Sequence, residues 1–329
     1  LKIAGVIGGG AWGTALAASA ARAGLITKLW ALEEDVCTAI NETRENSIFL
    51  KGVPLPAGIS ASSDYAHLKD ADFVLMVCPS QFMRPVSTEL IKHIRPETPL
   101  IICAKGIEKA SGKLMSEVLS ETAPAHPLAV LSGPTFASET ARDLPTAMTL
   151  ACKDPELVQK LAESLGRPTF RTYTTHDIIG AQIGGAVKNA LAIACGIVEG
   201  REMGENARAA LITRGLAEML RFADFKGAEH QTLMGLCGLG DLILTCSSPQ
   251  SRNMSLGMAL GQGRTMDEVM AERKTVAEGV YNAEVIHRIA HKAGISMPIV
   301  ETVYNILHQG MDVGEGIAAL LERPLGKEF

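Results

Sequence analysis

Residues 3–13 read IAGVIGGGAWG, and this short stretch decides the fold. Residues 3–7 form a near-continuous apolar run of strand length. The run passes directly into Gly8-Gly9-Gly10-Ala11-Trp12-Gly13, after which a helical pattern opens at once. This is G-x-G-x-x-G with its required flanks, a strand before it and a helix after it. Gly8 permits the tight turn, Gly10 lets backbone N–H groups approach a pyrophosphate, and Gly13 lets helix and strand pack closely. The helix N-terminus then faces two negative charges. A dinucleotide loop is the reading, against the alternative of a merely tight strand–helix turn.

Outward from this loop, the first half of the chain repeats the strand–helix alternation. ITKLW, ADFVLMVCP, TPLIICAKG, PLAVLSGP and PTAMTLA read as strands, with a further one at 169–173. Helical patterns lie between them, at 14–23, 85–94, 114–122 and 155–165. Near-continuous apolar strands separated by helices imply a parallel sheet covered on both faces. After about Asp177 the strands stop. From there on the chain reads as helices, at 178–198, 207–225, 251–260, 266–272, 281–292, 299–307 and 313–321. The expectation is an α/β protein: a Rossmann-like dinucleotide-binding domain over 1–178 with a mostly parallel sheet, then an all-α substrate-binding and catalytic domain over 179–329.

Bulk properties narrow the function classes. The chain of 329 residues suffices for two domains and a well-buried core. A net charge of -5 gives no reason to expect nucleic acid or an anionic membrane as partner, so an anionic substrate must be held by a few local cations. The seven cysteines are scattered without C-x-x-C or Cys/His clusters, which fits buried reduced thiols and no metal site. Residues 178–198 (IIGAQIGGAVKNALAIACGIV) are long enough to span a bilayer. Gln182, Lys188 and Asn189 within them, and the lack of a second such span, favour a buried helix of a soluble domain. No basic stretch with a cleavage site precedes the first strand, so a cytoplasmic location is expected.

Two lysines stand where a charge needs a reason. Lys105 closes the strand LIICAK, at the end of a parallel strand where such sheets bind ligands. A lysine snorkelling to the surface fits the same place. Lys188 lies mid-helix among Ile183, Gly184, Gly185, Ala186, Val187, Ala190, Leu191 and Ala192. Burying an ammonium without partners is costly. Desolvation and a second cation both lower a lysine's pKa and make it a usable proton donor and acceptor. The alternative is a narrow exposed stripe shared with Asn189.

Further along, residues 235–253 read GLCGLGDLILTCSSPQSRN, which places Asp241 on an irregular, close-packed turn and opens a helix with Ser251-Arg252-Asn253. An Arg among polar groups at a helix N-terminus suits a phosphate dianion, and plain capping by Ser251 is the competing account. SGPTFA (132–137) follows a strand, so its free N–H groups and the Thr135 hydroxyl can face the same cleft. After the second strand, Leu32 and Glu33 stand where an acid would bind the 2′-hydroxyl of NAD and an Arg the phosphate of NADP. The lean is to NAD, with NADP left open.

Taken together, GGGAWGTALA, VCPS, AKGIE, SGPTFA, GGAVKN, NARAALITRGLAEM, GLGDLILTC, SRN and AEGVYN occur in an order and spacing that resembles the NAD(P)-dependent glycerol-3-phosphate dehydrogenase family in its bacterial form. The likeness runs from Ile3 to about Leu321. It implies reversible reduction of dihydroxyacetone phosphate to sn-glycerol 3-phosphate with NADH or NADPH, a product used in glycerophospholipid synthesis, by a cytoplasmic homodimer. By the same resemblance, Lys188 is the proton donor and acceptor, Lys105 contacts substrate and cofactor, and Asp241 and Asn189 orient the lysine and the hydroxyls. Gly133, Thr135, Thr245, Ser251, Arg252 and Asn253 match substrate-side positions. Ala11, Trp12, Ala137, Arg252, Val276 and Glu278 match cofactor-side ones, together with Gly8, Gly10, Gly13 and Leu32. Many bacterial members carry Arg or His where this chain has Leu32. Two rival readings remain, another two-domain dehydrogenase of hydroxy acids and a nucleotide-sensing protein without catalysis.

Overall fold

Val6 and Ile7 are fully buried in the first strand, β1 (Ile3–Ile7), because parallel strands flank it on both sides. The computed structural model describes residues 1–272 and 277–324. Its sheet comprises β1, β2 (Ile26–Trp30), β3 (Ile59–Ser62), β4 (Phe73–Met76), β5 (Leu100–Ile102), β6 (Leu128–Ser132), β7 (Thr146–Cys152) and β8 (Phe170–Thr175). The spatial order is β3-β2-β1-β4-β5-β6-β7-β8. Around it lie α1 (Ala11–Arg22), α2 (Glu34–Thr43), α3 (Met83–Leu90), α4 (Met115–Thr122), α5 (Ala137–Ala141) and α6 (Pro155–Leu165). Two core clusters fill the two faces of the sheet, one behind Leu29 and Leu75, the other behind Ile7 and Met76.

The first six strands are parallel, and β7 reverses against β6 while pairing in parallel with β8. The chain leaves β6 at Ser132, makes the one short helix α5 and re-enters as β7 at Thr146, so it never crosses to the far edge of the sheet. The sequence pattern does not distinguish this return from a parallel crossover. The return keeps Gly133–Ala137 at the carboxyl end of the strands.

Beyond β8 the chain is helical: α7 (Ile178–Gly200), α8 (Glu205–Lys226), α9 (His230–Leu233), α10 (Asp241–Cys246), α11 (Arg252–Gly261), α12 (Met266–Ala271), α13 (Glu278–Ala293), α14 (Pro298–His308) and α15 (Val313–Leu321). Every residue of α7 from Gly180 to Val198 is buried, and α8, α10, α11, α13 and α14 pack around it. By length and composition α7 is apolar enough to cross a membrane, yet 89% of that stretch is covered by protein. Small residues let the neighbours close in: a Cβ on Gly196 would lie 2.1 Å from the Met254 carbonyl oxygen. Ile183, Val187, Leu191 and Ile193 contribute to one continuous core, each fully buried side chain of this size being worth about 1.5–3 kcal/mol.

The expected turn at Gly235–Asp241 is a correction. Leu236–Gly240 is a π-helical segment that runs straight into α10, and Asp241 is the first residue of that helix. The glycines there serve close approach rather than a turn. A Cβ on Gly184 of α7 would sit 2.0 Å from the Cys237 carbonyl oxygen, and one on Gly238 would sit 2.0 Å from that of Leu233. All seven cysteines are free and buried, and no group of metal-binding side chains occurs among the described residues.

Candidate active site

The glycine loop takes the form its sequence requires. Gly8 has φ +123°, a conformation that L side chains rarely adopt, and its backbone lies against Val77 at the end of β4. A Cβ on Gly13 would stand 1.8 Å from the Gly8 carbonyl oxygen, so helix and loop touch through backbone alone. Gly10 caps α1 without any side-chain bond, and no atom lies within 4 Å of where its Cβ would be. The helix N-terminus therefore presents its N–H groups to open space, as a pyrophosphate requires. The indole Nε1 of Trp12, the second residue of α1, is buried without a hydrogen-bond partner among the described residues, its ring packed among apolar side chains. These residues fit a dinucleotide. Ala11 and Ala137, the first residues of α1 and α5, pack in a small apolar cluster beside this loop with Trp12 and Leu50.

One residue of this loop's support has no signature in the sequence. Asn46 is fully buried, and its Nδ2 donates to the Gly9 carbonyl oxygen at 2.7 Å and to Thr14 Oγ1 at 2.8 Å. Its Oδ1 accepts from the Phe49 N–H at 3.0 Å. The amide thus ties the segment after α2 to the underside of the loop.

Lys105 follows β5 and lies across α7 where Gly185 leaves room: a Cβ there would be 3.1 Å from the lysine Cγ. Two adjacent glycines in a helix interior cost about 1 kcal/mol each. Gly184 and Gly185 are retained because one admits the π-helical segment and the other admits this side chain. Lys105 Nζ donates to Asp241 Oδ2 at 2.7 Å and to the Gly133 carbonyl oxygen at 3.1 Å. Lys188 Nζ, from α7, donates to Asp241 Oδ1 at 2.6 Å and to Thr245 Oγ1 at 2.8 Å. Asp241 is fully buried, so two ammonium groups share one carboxylate away from water. Thr135 Oγ1 joins the same cluster by donating to the Gly133 carbonyl oxygen at 3.3 Å.

The electrostatics follow from this geometry. Burial pulls the Lys188 pKa from 10.5 down to about 8, the positive charge of Lys105 adds to the fall, and Asp241 opposes it. Burial alone would raise the Asp241 carboxyl, but Lys105 and Lys188 outweigh it and hold it below the usual carboxylate value. Lys188 is therefore an acid that can release and regain a proton near neutrality, with a fixed anion behind it.

A second chain of bonds runs from α7 to α11 and α13. Asn253 Nδ2 donates to Asn189 Oδ1 at 2.9 Å, and Asn253 Oδ1 accepts from the Gly279 N–H at 3.0 Å. Ser251 is buried and caps α11 by accepting from the Met254 N–H at 3.2 Å, so the capping account holds for that residue. Arg252 is exposed as the first residue of α11. Burial raises the carboxyl of Glu278, at the start of α13, and the charges of Arg252, Lys188 and Lys105 oppose the rise. Leu32 stands after β2 with 73% of its surface exposed. Val276 lies outside the described residues.

The glycine loop and the lysines share one end of the sheet. Val77, beside Gly8, and Ser80, whose Oγ lies 2.5 Å from where a Gly106 Cβ would be, belong to the same short segment after β4. Two further polar groups, the half-buried Gln81 and the buried Asn282, hold this rim. Gln81 Nε2 donates to the Ile107 carbonyl oxygen at 2.8 Å, and Asn282 Nδ2 donates to that of Ala186 at 3.2 Å. A loop shaped for a dinucleotide, next to a buried lysine poised to exchange a proton, defines a nicotinamide-dependent dehydrogenase with a helical second half.

The comparisons with known proteins agree. Residues 2–158 match the N-terminus of NAD-dependent glycerol-3-phosphate dehydrogenase, and residues 177–318 match its C-terminus. The chain belongs to the NAD-dependent glycerol-3-phosphate dehydrogenase family. It is 54% identical to a glycerol-3-phosphate dehydrogenase [NAD(P)+] of Caulobacter vibrioides, over 98% of both chains. With that of Rhodospirillum rubrum it shares 55% identity, over 98% of this chain and 93% of the other. The crystal structure of glycerol-3-phosphate dehydrogenase from Coxiella burnetii superposes with a TM-score of 0.93 at 40% identity, covering 98% of this chain and 99% of that one.

Proposed function

We propose that this chain is a glycerol-3-phosphate dehydrogenase in which Lys188 exchanges a proton with the substrate oxygen and Asp241 sets that lysine's acidity. The observation that carries the reading is the Lys105–Asp241–Lys188 cluster, with Thr245 as the second partner of Lys188. It stands at the rim of the sheet that also carries the glycine loop. When bound, the reduced nicotinamide supplies a hydride to the keto carbon of dihydroxyacetone phosphate.

The chain's own residues do the rest. Gly8, Gly10, Ala11, Trp12 and Gly13 hold the pyrophosphate through backbone N–H groups. Ala137, Glu278 and Leu32 border the rest of the dinucleotide, with Val276 proposed beside Glu278. Lys188 Nζ gives its proton to the oxygen that becomes the C2 hydroxyl, and Asp241 retains the charge balance as it does so. Lys105, held by Asp241 and Gly133, offers a second ammonium to the same oxygen. Thr135 and Asn189 border the three-carbon chain, and Asn253 fixes the amide of Asn189. Arg252 and Ser251, at the N-terminus of α11, take the phosphate, and this remote grip orients the reacting carbon. The division near residue 178 separates the dinucleotide half from the substrate half. A cytoplasmic homodimer supplying glycerol 3-phosphate for glycerophospholipids is the setting we assign.

The test is oxidation of NADH and NADPH with dihydroxyacetone phosphate, beside unphosphorylated dihydroxyacetone and a panel of 2-oxo acids. Turnover restricted to the phosphate ester supports the reading. Turnover of a 2-oxo acid in its place would transfer the chain to the hydroxy-acid dehydrogenases. Dinucleotide binding with no turnover of any substrate would leave a nucleotide sensor.

A further inference from the structure

The end of β2 differs in character from the rest of the dinucleotide site. Ala31 is fully buried against the glycine loop: a Cβ on Gly9 would be 2.5 Å from the Ala31 Cβ, and Ala31 donates its N–H to the Ser62 carbonyl oxygen at 3.1 Å. The next residue, Leu32, is therefore delivered to the edge of the loop, where it is 73% exposed. Glu33, Glu34 and Asp35 follow, all exposed, with Glu33 capping α2 and forming no side-chain cap bond. The neighbouring strand β3 ends at Ser62, and Ser63 and Asp64 follow it, which adds hydroxyls and a further carboxylate, the latter accepting from the Ala66 N–H.

Among the described residues, the cations of β2 and α2 are placed elsewhere. Lys28, in the middle of β2, is held by Asp70 at 3.5 Å. Arg44 ends α2 at the opposite terminus, about 15 Å along a helix of this length from its first turn. The start of α2 carries the usual partial positive charge of a helix N-terminus, but its first turn already holds Glu34 and Asp35.

We infer that this chain selects NADH over NADPH, and that Leu32 with the carboxylates after it makes the selection. In strand–loop–helix sites of this kind the adenosine ribose lies at the end of the second strand. A 2′-hydroxyl there needs one acceptor, and Glu33 carries one. A 2′-phosphate brings nearly two negative charges into a row of carboxylates and meets no guanidinium or ammonium at the end of β2 among the described residues. Leu32 gives apolar surface for a purine ring and no ligand for a phosphate. The inference deepens the function proposed above and rests on its dinucleotide reading.

The discriminating quantity is affinity, because the ribose lies far from the reacting carbon. Dissociation constants of NADH and NADPH are measured on the intact chain by fluorescence titration, together with kcat and KM for each in dihydroxyacetone phosphate reduction. NADH is expected to bind about tenfold tighter or more, with similar kcat at saturation. The ratio is expected to narrow as salt screens the carboxylates. Leu32→Arg is expected to close the ratio by about tenfold through tighter NADPH, whereas Leu32→Ala leaves the NADPH penalty in place. Equal or tighter binding of NADPH by the unaltered chain overturns the inference, as does a Leu32→Arg ratio equal to that of the parent. An NADH preference in binding without turnover of the ketone would support this inference and defeat the substrate assignment. Equal use of both cofactors would do the reverse.

Discussion

Replacing Asp241 by Asn removes one charge and almost no volume from the centre of the cluster. The carboxylate sits 2.6 Å from Lys188 Nζ and 2.7 Å from Lys105 Nζ in full burial. Lys188 titrates at about 8 with that anion in place. An opposite charge at such range is worth about one to three pKa units, and at the middle of that range its loss takes Lys188 to about 6. At pH 7.5 the protonated fraction then falls from about 76% to about 3%, roughly a 25-fold loss of the acid form. At pH 5.5 both proteins are largely protonated and the difference shrinks to less than about twofold. The assay is the pH profile of ketone reduction from pH 5 to 9.5 at saturating cofactor, for the parent and Asp241→Asn. The parent should decline through about 8 as pH rises, and the variant should decline about two units earlier. An equal loss at every pH would refute the claim that Asp241 acts through the lysine's acidity. So would a variant whose decline stays at the parent's position.

Two further outcomes are expected. Glu218 is 1% exposed and caps α14 by accepting from the Ile299 and Val300 N–H groups at 2.7 and 3.2 Å, yet burial raises it to about 7. A carboxyl raised in the folded state contributes stability that is full below its unfolded value and is lost as pH climbs through 7. Urea denaturation should therefore show a loss of about 3 kcal/mol between pH 4.5 and 8, which Glu218→Gln flattens. Asn46→Ala should raise the dissociation constant of NADH by about tenfold and leave kcat within a few-fold, because it releases the Gly9 carbonyl without touching the lysines. A kcat loss with unchanged cofactor affinity would remove Asn46 from the loop's support.

How much of this was legible in the sequence depended on whether the signal was local. β1, β4 and β5 are continuous apolar runs buried on both faces, and such runs are readable from composition alone. β3 is ISAS, with two serines and only Ala61 buried, and it forms because β2 offers it a parallel edge. α2 likewise buries only Val36, Cys37 and Ile40, an apolar stripe too short to stand out among its polar residues. The glycines of residues 235–240 suggested a turn because glycine usually marks one, whereas here they let backbone approach backbone.

In the site, Lys188 was legible because an ammonium in an apolar helix demands a partner, whereas Asp241 was named as that partner only through the family resemblance. Asp241 reaches it only after α7 and α10 pack side by side. Asn46 gave no signal at all, since its value lies in a contact with Gly9 that only the folded chain creates.

The most direct measurement is a single turnover of Lys188→Met, premixed with NADH and then supplied with dihydroxyacetone phosphate, beside the parent protein. The cofactor's dissociation constant should stay within about twofold while the first-turnover rate falls about 100- to 10,000-fold, the range for removing a general acid. A first turnover at the parent's rate, with NADH bound normally, would mean that the proton comes from elsewhere and that the buried lysine only fills space.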